Sequence, residues 1–102
     1  MKIITKKKLK EECWNLNYEL VKWLNEHLKI YLEDAGKVVD LDFYKFDYLG
    51  ATFTLRQMIK DIIDITDYIV NHYYDWDNLE LLNNNVNEMY DLMRLIHHYL
   101  WW

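Results

Sequence analysis

The chain has 102 residues, 52% hydrophobic and 28% charged, with a formal net charge of −5. That length and apolar share suit one domain spanning 1–102 with its own core, and they exclude intrinsic disorder as the general state. The lack of proline, with Gly36 and Gly50 the only glycines, excludes collagen-like and turn-dense all-β folds, and a lone Cys13 excludes an internal disulfide.

No apolar run reaches the 18 or so residues of a membrane span, and no secretory leader is read, so a cytoplasmic protein away from membranes is expected. Lys2, Lys6, Lys7, Lys8 and Lys10 make the start basic, and the rest carries seven bases against seventeen acids. So acidic a body repels nucleic-acid backbones, and direct nucleic-acid binding is not expected. The lysines are read as a solvated first helical turn.

The first helix is expected from Thr5, as N-cap, to Gly36 in the left-handed position that ends a helix. Leu9, Cys13, Leu16, Leu20, Leu24, Leu28 and Tyr31 recur at spacings of four and three. Trp14, Val21, Leu32, Trp23 and Ile30 widen this stripe to about half the circumference, more than one contact needs. The helix is therefore expected to pack against two neighbours. Asn17 and His27 fall inside the arc and are read as core polar groups with hydrogen-bond partners, and Cys13 as an inert buried thiol.

Between Lys37 and Thr54 the period changes to two. Val39, Leu41 and Phe43 alternate with Asp40 and Asp42, and Phe46 and Tyr48 with Lys45 and Asp47. Leu49-Gly50 reads as a turn, and Ala51-Thr52-Phe53 as a returning strand. Thr54 and Gln57 then form a capping box, with Phe53 and Met58 placed as its hydrophobic staple. The second helix carries Leu55, Met58, Ile59, Ile62, Ile63, Thr66, Ile69, Val70 and Tyr73 on one face. Asp75-Trp76-Asp77 breaks it. Asp77 with Glu80, and Trp76 with Leu81, repeat the box and staple before a third helix running from about Asn78 to the C-terminus. The expected fold is mainly α: a three-helix bundle with a small β-hairpin inserted between helices one and two.

No phosphate loop, nucleophile elbow, zinc signature or Cys/His framework is present, so no enzyme, metal or cofactor is expected. Asp61, Asp64 and Asp67 fan over the solvent side of the second helix and do not converge as metal ligands do. A metal-dependent enzyme built on them is the weaker alternative. His97 and His98 point about 100° apart and cannot serve one ion from a regular turn.

The 17% aromatic content is the most informative feature. Tyr44, Asp47 and Tyr48 of the insert, with Asp61, Asp64, Asp67 and Tyr68 of the second helix, are expected to line an acidic-aromatic partner-binding surface, extended by Asp40, Asp42 and Asp75. A second stripe on the third helix, Leu92, Leu95, Tyr99 and Trp102, is expected to be covered by the insert, a second copy in a possible homodimer, or a target. Size, acidity and composition resemble those of small inhibitors encoded by phages and mobile elements, such as anti-CRISPR and anti-restriction proteins. That likeness rests on no motif. It implies a small acidic interaction module that docks on the basic nucleic-acid-binding groove of a host defence protein. A homodimeric helical adaptor or antitoxin-like partner is the alternative.

Overall fold

A computed structural model describes residues 5–74 and 76–102, with the backbone only of Trp76. The expectations for Lys2, Asp75 and the Trp76 staple lie outside the described residues and side chains. In chain order the elements are α1 (Lys6–Cys13), α2 (Leu16–Asp34), β1 (Lys45–Tyr48), β2 (Ala51–Thr54), α3 (Leu55–His72) and α4 (Leu79–Ile96). Short 3-10 turns follow α2 and flank α4. The architecture is mainly helical, with an antiparallel hairpin between the second and third of four helices.

The first expected helix is two helices. Thr5 caps α1, its hydroxyl accepting from the Lys8 N–H. The chain then leaves helical geometry at Asn15 (φ −141°, ψ 51°), whose carbonyl accepts from Glu19 to start α2 and whose amide bonds the Tyr74 hydroxyl. Asparagine is a poor helix-interior residue and gains more as a junction. Gly36 is not in the left-handed region; it lies in the 3-10 turn Ala35–Lys37, close to Leu41.

The expected strand over Val39–Phe43 is instead a run of turns that caps α3. Helices start with unpaired N–H groups, and here Arg56 and Leu55 donate theirs to the carbonyls of Leu41 and Tyr44. Leu41 is fully buried beneath. Asp40 accepts from the Asp42 N–H and Asp42 pairs with Arg56, which fixes the turn. The hairpin turn sits at Leu49-Gly50, where both residues have positive φ (49° and 80°), the geometry that matches strand twist.

The capping box at Thr54 and Gln57 is present in both directions. The second box is not: α4 begins at Leu79 with Asn78, not Asp77, at its N-cap, and Asp77 belongs to the preceding 3-10 turn.

Helix α3 is the centre of the molecule, burying Leu55, Met58, Ile59, Ile62, Thr66 and Ile69. Helices α2 and α4 each pack along it but hardly touch each other. The bundle therefore does not close as expected. It forms a layer about 42 × 41 × 18 Å, with a radius of gyration of 15.2 Å against roughly 13 Å for a compact chain of this length. Among the described residues no helix is long and apolar enough to cross a membrane.

Candidate functional site: an open groove between two helices

Helix α2 faces α3 with Val21, Asn25, Leu28 and Leu32; of the row read from sequence Leu28 is buried and Leu24 and Tyr31 pack against the core, while Leu16 and Leu20 stay outside. Asn25 sets this rotation. Its amide donates to the Ile63 carbonyl (3.2 Å), Thr66 Oγ1 (2.8 Å) and Asp67 Oδ1 (3.0 Å). Thr66 passes its own proton to the Ile62 and Ile63 carbonyls, so the buried polar pair is fully satisfied. The sequence signal for Asn25 was its place in the 21-25-28-32 spacing, obscured by the wider arc around it.

The rotation leaves a second row outside. Leu16, Leu20, Trp23, His27 and Ile30, spaced 4-3-4-3, are all exposed. This is the spacing with which one helix receives another. His27 stacks on Trp23 with ring centroids 3.9 Å apart, so it belongs to the outer row and not to the core, and Asn17 is exposed too. Helix α4 carries a matching row, Leu79, Asn83, Val86, Tyr90, Met93 and His97, with Leu79 and Tyr90 about half exposed.

The two rows run in the same direction. Their N-terminal halves wall a groove of about 790 Å³ floored by Val21, Tyr73 and Leu82, while Tyr31 near the other end bonds the Trp101 carbonyl. Among the described residues no charged side chain lines the groove. At its mouth stand Trp14, 84% exposed, and Cys13, which is exposed and not the buried thiol expected. Burial raises the Tyr73 phenol above its ordinary value, assisted by Tyr74.

The sequence-derived acidic surface is partly assembled. Asp61, Asp64 and Tyr68 share the outward side of α3, and among the described residues neither Asp61 nor Asp64 has an ion-pair partner. Desolvation first, and the charge of Asp64 second, raise the Asp61 carboxyl above its ordinary value. Tyr68 stacks on His72. Asp67 turns away to α2, where its bonds from Lys29 (2.8 Å) and Asn25 hold its carboxyl below the ordinary value against a smaller desolvation effect.

The insert residues lie apart from that cluster. Asp47 accepts from Thr52, and Tyr48 is raised by desolvation and then by the nearby charges of Glu88 and Asp91 on α4. Tyr44 packs against Tyr99 at 4.8 Å, and Phe46 meets the same ring edge-on at 5.0 Å. The second stripe on α4 is thus largely occupied from within the chain: Leu92 is in the core, Leu95 and Tyr99 are half-buried, and only Trp102 is exposed. Among the described residues no group of three or more His, Cys, Asp or Glu converges on a point. Comparison with protein-family models, curated proteins and solved structures gives no match.

Proposed function

We propose that this chain is a non-catalytic protein-interaction module whose principal contact surface is the apolar groove between α2 and α4. The observation that carries this reading is the pair of 4-3 rows on either side of α3, whose N-terminal halves wall a groove that no helix among the described residues fills. An uncharged groove walled by two such rows suits the apolar face of a helix, a common mode of protein recognition. Trp14 and Tyr90, both lining the groove, supply large rigid rings of the kind that anchor interfaces.

A second reading rests on Asp61 and Asp64. Two unpaired carboxylates beside Tyr68 suit steering toward a basic surface, as in a small phage- or mobile-element-type inhibitor that occupies a nucleic-acid-binding groove.

Site-specific photo-crosslinking in cells expressing the protein tests both. A benzophenone side chain at Tyr90 is expected to give a discrete protein adduct, while one at Lys37, exposed in the 3-10 turn after α2 and outside the groove lining, gives none. An adduct from Tyr68 but none from Tyr90 transfers the function to the acidic face. Equal, diffuse adducts from all three positions contradict the groove reading.

A further inference from the structure

We infer that the groove is closed by a second copy of this chain, so that α2 and α4 of two protomers meet across a two-fold axis; this rests on the reading of the groove as a protein-contact surface. Three observations point to that occupant. The first is surface area. The chain exposes 7603 Å², about 1,400 Å² more than the roughly 6,200 Å² expected of a compact monomer of 12.7 kDa, a surplus shared between α1, which buries no residue, and the open face of α2 and α4. A standard protein interface removes about 800 Å² from each partner, so a surplus of this size matches a second folded chain better than a short peptide.

The second is chemistry. Among the described residues the groove lining holds no charge to pair with, so it suits an occupant that presents uncharged apolar side chains at helical spacing. Leu16, Leu20, Trp23 and Ile30 are that kind of row, exposed on the same molecule. The third is self-complementarity. Both walls belong to one layer, so two layers placed face to face bring four helices together, each row covered by the other copy. A two-fold contact of this kind is closed and adds no further chains. The stripe on α4 that sequence nominated for dimerisation is excluded from this role at Leu92, which the chain buries itself.

The test is the mass of the purified full chain by light scattering or sedimentation over two decades of concentration. The expected result is twice the 12.7 kDa of one chain at the upper end. Leu20→Glu and, independently, Tyr90→Glu are expected to weaken association by on the order of thirtyfold, the loss of a buried anchor, with helical circular dichroism retained. If Leu20→Glu fails to fold, Tyr90→Glu on the opposite wall still decides. Leu81→Glu, on another side of α4, is expected to leave the mass unchanged. A dimer that survives both groove variants, or that Leu81→Glu also disrupts, overturns the inference. So does a wild-type chain that stays monomeric throughout, and an adduct from Tyr90 to a different protein would then leave the contact-surface reading standing.

Discussion

Asn25 Nδ2 lies 2.8 Å from Thr66 Oγ1, a buried polar contact between α2 and α3 on the side of α2 that Val21 and Leu28 also bury. Asn25→Ala removes its bonds to Ile63, Thr66 and Asp67 from a buried site and leaves Asp67 its pair with Lys29. A loss of about 1–3 kcal/mol is expected, read as a lower urea midpoint at unchanged slope. An unchanged midpoint removes the pair from any structural role.

Leu49 is exposed and sits at φ 49°, a conformation that costs a non-glycine, non-asparagine residue about 1 kcal/mol. Leu49→Asn gives the turn the residue pair that a type I′ geometry favours. Stability is expected to rise by about 0.5–1 kcal/mol. Gly50→Ala, at φ 80° with no neighbouring atom to strike, is expected to lower it by a similar amount through strain alone.

Leu92 is 2% exposed, and a charge there has no route to water. Leu92→Asp is expected to cost several kcal/mol and abolish cooperative melting. Leu95→Asp, at a half-buried position, is expected to lower the melting temperature and keep the transition. A Leu92→Asp variant that melts like the parent contradicts the packing described for α4.

The two α3 carboxylates respond oppositely to pH. Asp67 has a lowered folded-state value, so its contribution is present above the unfolded carboxylate value and is lost as pH falls through the folded one. Asp67→Asn is therefore expected to be less stable than the parent at neutral pH and to converge with it in acid. Asp61 has a raised value, so its ionised form disfavours the fold at neutral pH. Asp61→Asn is expected to be more stable there, with the advantage vanishing as the parent's Asp61 protonates. Denaturant titrations between about pH 3 and 7 read both curves; parallel curves for the two variants contradict the assignment.

What sequence showed and what it hid divide along the range of the interactions involved. The capping box at Thr54 and Gln57 is local, four residues wide, and reads directly. So does the turn at Gly50, though not the strain at Leu49, because leucine carries no turn signal. The alternation over Val39–Phe43 is equally compatible with a strand and with a turn run whose carbonyls cap α3; the choice is made by Arg56 and Leu55, distant in sequence. The break at Asn15 depends on the Tyr74 hydroxyl, 59 residues away. The arc on α2 reads as wide enough for two neighbours. One of them, α3, is in the chain. The rest of the arc, Leu16, Leu20 and Trp23, stands exposed, and the acidic residues read as one surface are split between Asp61–Asp64 and the α2-bound Asp67.

The native thiol at the groove mouth tests the central claim most directly. Cys13 is the sole cysteine and is exposed beside Trp14 and Leu16, so any occupant of the groove, a second copy or another protein, shields it. Its alkylation by a cell-permeable maleimide in intact cells is expected to be slower by about tenfold or more than in the doubly substituted Leu20→Glu, Tyr90→Glu chain, in which the groove stays open. Equal rates in the two proteins contradict the claim that this groove is a contact surface.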